Sequence, residues 1–180
     1  MNEMSRISID AWQAGPGLML VTNLKSALRR MPGAVALIST RDPADGSPAG
    51  LAASAVIPVS LEPPSMLISI NRKASAHSAI ERSGSFCINL LGVNHTALVG
   101  LFSNSDMRTK RFSPDAWQER HGLPYLADAP ANVFCRVSTT LLFGTHEIFV
   151  GEVFDLHRSD SSEPLGWFDG NFATHQPFSP

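Results

Sequence analysis

Three places in this chain carry residue types that could do chemistry together. The first is Gly50-Leu51-Ala52-Ala53-Ser54-Ala55-Val56-Ile57, a strand-like stretch whose middle holds the smallest side chains. Small residues are poor strand formers because they offer little to pack on a pleated surface. In succession they let a neighbour approach the main chain, with its N–H and C=O groups as partners. A planar heteroaromatic ring with polar edges fits such a surface. So does a helix or a subunit packed closely on the strand, and the residues alone leave both open. The second place is Asn71-Arg72-Lys73-Ala74-Ser75, where a strand ends, two cations follow and a helix begins with Ser75 as its expected N-cap. Unpaired N–H groups and the dipole at a helix start attract phosphate, and Arg or Lys can clamp it. A solvated basic turn before an ordinary cap has the same letters. His77, in the first turn of that helix, could add a donor. The third place is His146, at the corner of a long hairpin whose apolar strands would hold an imidazole at a rim, although a corner histidine is also an ordinary exposed residue.

Other chemistries lack their residues. The chain has no Walker A loop, G-x-G-x-x-G, H-E-x-x-H or G-x-S-x-G motif. The six histidines, at 77, 95, 121, 146, 157 and 175, have no His or Cys partner at metal-ligand spacing, so no metal site is expected. His95 is expected at the surface. Cys87 and Cys135 sit in apolar runs and read as buried free thiols. A net charge of −2 and a pI near 6.3 give no broad basic field for nucleic acid or anionic lipid, so anion binding must be local. With 43% apolar and 17% charged residues over 180 positions, the chain suits one globular domain. No signal peptide and no stretch of membrane-spanning length is evident, which points to a cytoplasmic protein.

These residues need elements to position them. Residues 1–20 are expected as an irregular arm that includes Trp12, and 21–180 as the single domain. A helix is predicted over 23–30, ending before Pro32. Residues 33–40 form a buried strand, 42–48 a turn-rich fold-back, and the small-residue stretch the return strand. A further strand at 65–71, a short helix at 75–81, a strand at 85–91 and a second helix at 95–102 follow. Positions 103–130 read as a long loop with little regular structure. Residues 131–143 and 147–157 form a long strand pair around the Gly144-Thr145-His146 corner. Residues 160–163 (DSSE) read as a solvated turn. Trp167 and Phe168 could cover a ring or a partner subunit; a core position is the plainer expectation. The fold class is mainly β: a closed or nearly closed antiparallel barrel with short helices on its flanks.

The order of these segments resembles the flavin reductase family, the small partners of two-component flavin monooxygenases. The similarity runs over roughly residues 25 to 172. It is carried by MPGAVALIST, GLAASAVIPVSLEPPSMLISINRKASAH, GSFCINLL, Arg111-Phe112, Trp117, Gly122-Leu123-Pro124, Ala131, Cys135 and GTHEIFVGEV. The resemblance implies a split barrel with Greek-key-like antiparallel strands that binds FMN or FAD, usually as a homodimer. It implies that Leu51, Ala52, Ala53, Ser54 and Ala55 lie along the isoalloxazine ring. Ser69, Ile70, Asn71, Arg72, Lys73 and Ser75, with His77 and Arg111, would surround the ribityl chain and phosphate. His146 would stand where the nicotinamide of NADH or NADPH stacks. Thr145 occupies the place of the acid usual in relatives, and Ala76 that of a Thr near the phosphate. The implied reaction is hydride transfer from NAD(P)H to flavin, and the reduced flavin then serves a partner oxygenase. Two alternatives keep the fold: a flavoprotein with tightly held FMN that reduces a corrinoid or a metal, and a non-enzymatic flavin-binding module. A barrel with no ligand, its small strand covered by protein, is the plainest.

Overall fold

The computed structural model describes residues 5–8, 17–113, 115–160 and 163–177. Trp12 and the centre of the expected DSSE turn lie outside them. Strand β1 (Ser5–Ser8) falls inside the expected arm and pairs in parallel with a later strand. Helix α1 (Leu18–Leu28) starts five residues before the expected one, directly after Gly17. Then come β2 (Gly33–Ala34), β3 (Ala36–Arg41), β4 (Pro48–Ala53), β5 (Val56–Leu61) and β6 (Pro64–Asn71). Helix α2 (His77–Ser83) stops at Gly84, whose left-handed φ of 63° suits a residue without a Cβ. Strand β7 (Ser85–Leu90), a 3₁₀ turn (Val93–His95) and helix α3 (Thr96–Ser103) follow.

The segment expected to lack regular structure contains a 3₁₀ turn (Ser105–Lys110) and a ribbon of β8 (Trp117–Arg120) and β9 (Leu123–Leu126). The turn between these strands places both His121 and Gly122 at positive φ, 54° and 74°. That is the backbone of a tight hairpin, usually announced by Asn-Gly or Asp-Gly. The long pair β10 (Ala131–Phe143) and β11 (His146–Arg158), with a small sheet of β12 (Leu165–Phe168), β13 (Asn171–Thr174) and β2, completes the chain.

Hydrogen bonding runs β4-β3-β7-β10-β11-β6-β5 in the main sheet. Its two end strands, β4 and β5, are consecutive in the chain and separated only by Ser54 and Ala55. The sheet therefore curls until its ends meet at that bend. Inside it lies a core of Ile38, Ile68, Ile70, Ile80, Phe86, Ile88 and Phe149, against which the inward side chains Ala49, Leu51 and Ala53 pack. On the outer face of β3 and β4, Leu37, Leu91, Phe102 and Leu126 form a second core, to which Ala52 contributes. Alternate residues of β4 thus face different cores, as the pleat requires. Buried Asn89 fastens β9 to this wall: its Nδ2 donates to the Leu37 carbonyl and its Oδ1 accepts from the Leu126 N–H at 2.7 Å.

Candidate functional site

Three expected site segments meet at one end of the barrel. β6 pairs with β11 so that Asn71 stands opposite His146. The Ser69 N–H donates to the Ala55 carbonyl at 3.2 Å, which brings the small-residue bend to the same rim. β4 ends at Ala53, the chain bends at Ser54, and it is β5 that pairs with β6.

The small residues have two separate causes. A Cβ on Gly50 would fall 2.7 Å from the Ile38 carbonyl oxygen and 2.8 Å from the Phe102 ring. Gly50 therefore admits the cluster of Phe102, Phe112 and Trp117, whose rings lie 4.7–5.6 Å apart. This is close helix packing, the non-ligand cause. Beyond it, Ala52, Ala53 and Ser54 line a cavity of about 190 Å³ with Val35, Val99, Ser103 and Trp167. β4 hydrogen-bonds to β3 on one side only within the sheet, so its far edge faces this space. Trp167 is 40% exposed at the cavity wall, which corrects its expected core position. The Leu51 side chain turns into the barrel core and cannot line the cavity. Ala55 is exposed, and its carbonyl is taken by Ser69.

The residues expected around a phosphate divide into two groups. Ile70 is buried in the core, so only its main chain faces the rim. Ser75 does not cap α2: the helix begins at His77 after Ala76, with no side-chain cap. The Ser75 hydroxyl instead accepts from Arg111 Nη1 at 3.2 Å. Arg111 is itself buried, and it donates to the carbonyls of Gly50, Leu101 and Asn104 at 2.8, 3.1 and 2.9 Å. Burial, and then the Arg108 guanidinium, lower its pKa from the ordinary arginine value. Ser75, Arg108 and Arg111 share a cavity of about 180 Å³ against Pro48–Gly50 of β4. On the other side of the segment, Arg72 and Lys73 face a cavity of about 630 Å³ with Gly144 and Thr145. The Asn71 side chain stays at the loop, where its Oδ1 accepts from the Lys73 N–H at 2.9 Å.

His146 is exposed at the first residue of β11, after a two-residue turn with Gly144 at φ 57°. Its Nδ1 lies 2.9 Å from the Thr145 hydroxyl. A neutral hydroxyl thus holds the ring where a carboxylate would otherwise add charge. His77 does not face the loop as a free donor: its Nε2 lies 2.8 Å from buried Glu147 Oε2. This pair ties the start of α2 to β11 beside His146. It escaped the sequence reading because Glu147 sits in an apolar run with nothing to mark its partner seventy positions away. His95 is buried too, with its Nδ1 accepting from the Gly92 N–H at 3.0 Å, in place of the expected surface position.

The model of the "Flavin reductase like domain" family matches residues 28–176. The chain is 34% identical over 158 residues to FMN reductase (NADH) RutF of Variovorax paradoxus, covering 87% of each chain. Its fold superposes on flavin reductase PheA2 with a TM-score of 0.77 and 29% identity, over 87% of this chain and 98% of that one. It also superposes on the styrene monooxygenase flavin reductase of Pseudomonas putida S12, with a TM-score of 0.79 and 24% identity over 87% of this chain and 99% of that one, a likeness of fold.

Proposed function

Because this chain belongs to the flavin reductase like domain family, we propose that it is an NAD(P)H:flavin oxidoreductase of the split-barrel type. One observation carries the reading: the Ala52–Ser54 cavity, the end of β6 and His146 share one barrel rim, joined by the Asn71–His146 pairing and the Ser69–Ala55 hydrogen bond. FMN or FAD, when bound, would supply the redox chemistry, as acceptor of the hydride of NADH or NADPH. The protein's part is to bind and to orient. Ala52, Ala53 and Ser54 leave room for the ring against the open edge of β4. Ser75, Arg108 and the buried guanidinium of Arg111, with only neutral acceptors among its hydrogen bonds, suit the flavin phosphate. His146, held by Thr145, bounds the side from which the nicotinamide stacks at near-attack distance. Reduced flavin would then leave for a partner oxygenase in the cytoplasm.

The active species is a homodimer. Helix α1 has no buried residue, and Leu18, Leu20, Leu24 and Leu28 are all exposed. Apolar surface of that extent on a monomer marks an interface. Leu28 also lines a cavity that shares Ser54 and Trp167 with the ring site, so a second copy seated on α1 would border the flavin. The test adds NADH and FMN to the purified protein and follows the nicotinamide absorbance band. Flavin-dependent consumption of NADH is expected. Absence of turnover with FMN, FAD and riboflavin alike removes the reductase reading.

A further inference from the structure

The cavity beside the His146 corner, about 630 Å³, shares no lining residue with the cavity at Ala52–Ser54. Asn71, Arg72, Lys73, His77, Glu81, Gly144 and Thr145 line it, His77 being turned to Glu147. Among the described residues, neither the Arg72 guanidinium nor the Lys73 ammonium meets a carboxylate or a hydrogen-bond acceptor, and both residues are exposed. Their main chain is nevertheless fixed. The Arg72 N–H donates to the Thr145 carbonyl at 3.0 Å, and the Lys73 N–H to Asn71 Oδ1 at 2.9 Å. Two cations are thus anchored to the same turn that presents His146, and Glu81, already engaged with the chain, is the one carboxylate on the rim. The second cationic cavity, with Ser75, Arg108 and Arg111, lies against β4 and shares none of these residues.

A reductase of this kind must bind two phosphorylated ligands at once, and the fold offers two separate cationic cavities, one on each side of residues 71–75. We propose that the corner cavity binds the diphosphate of the nicotinamide dinucleotide, with Arg72 and Lys73 as its cationic contacts, while the Ser75–Arg111 cavity serves the flavin. The proposal rests on the reductase reading, and it divides between two ligands the residues that the family resemblance groups around one phosphate. The dinucleotide's nicotinamide reaches the rim at His146, and its diphosphate then falls next to the turn that carries Arg72.

The test is the double variant Arg72→Gln/Lys73→Gln, in two measurements. In steady state the KM for NADH is expected to rise about tenfold, and the KM for FMN to stay within about twofold. Calorimetric titration of ADP-ribose into flavin-free protein is expected to show binding that the double variant weakens by about the same tenfold factor. A rise in the KM for FMN in place of that for NADH overturns the assignment, as does equal binding of ADP-ribose by both proteins. If no flavin supports turnover, the reductase reading fails, and the ADP-ribose titration still decides whether the cavity takes a nucleoside diphosphate.

Discussion

At the scale of single residues, His146 and the two thiols lead to opposite expectations. His146 is exposed at the rim, with its Nδ1 held by Thr145. His146→Ala should leave the fold and the affinity for FMN intact and lower kcat/KM for NADH by about 10–100-fold, the loss of one or two polar contacts made near the transition state. An unchanged kcat/KM would remove His146 from the reaction. The cysteines are inert for the reason the sequence suggested: both lie in apolar strands, and both are free and buried. Burial pushes the Cys135 thiol up to about 12 and raises Cys87 well above its ordinary value, with Cys135 beside it as the smaller cause. Neither should react with a disulfide reagent at about pH 8 until the protein unfolds. The sign for stability follows: below the ordinary thiol pKa of 9.0 both states keep their protons, and above it the unfolded thiols ionise while Cys135 stays neutral to about 12. Stability should therefore fall across that window, measured as the denaturant midpoint against pH. Serine at both positions should flatten this fall.

At the scale of elements, β4 explains why small residues were needed and why the sequence could not say which need was which. Gly50 is small for packing, because Phe102 from α3 and Phe112 press on its backbone. Ala52 and Ser54 are small beside a cavity. The composition of the stretch is the same in both cases; only the position of α3 divides them. Gly50→Val should thus cost about 3 kcal/mol or more by forcing a side chain into an occupied space, read as a shift in the urea midpoint. Most other elements were legible because alternation, Pro and Gly marked them: β6, β7, β10 and β11 fall within one residue of their expected bounds, and β3 starts three residues later than expected, the first two residues of the expected strand forming β2. The β8–β9 ribbon was not legible, since His121-Gly122 hides a tight hairpin behind an unusual turn pair. The early start of α1 was missed for a related reason: its leucines do not face the core of this chain, so helical periodicity gave no buried stripe to read.

At the scale of the whole molecule, the sheet closes through two residues, and the candidate site sits at that closure. The barrel class was visible in the count of antiparallel strands, but which strands meet was not, because pairing between β6 and β11, or the Ser69–Ala55 bond, leaves no trace in local pattern. The same blindness covers the His77–Glu147 pair, which links two elements seventy positions apart. The apolar outer face of α1 makes the assembly testable: Leu24→Glu should convert a dimer into a monomer in light scattering and weaken flavin binding, because the neighbouring Leu28 borders the cavity next to Ser54. A wild-type protein that is monomeric at micromolar concentration would contradict the dimer. If the wall at 52–54 is left bare for a flavin ring, titration of FMN into wild-type protein and Ala52→Leu, followed by flavin fluorescence, must separate the two. Wild-type protein should quench FMN saturably, while Ala52→Leu, shown to be folded by its far-UV circular dichroism, should not. Equal binding of FMN by both proteins would contradict a flavin ring at that wall.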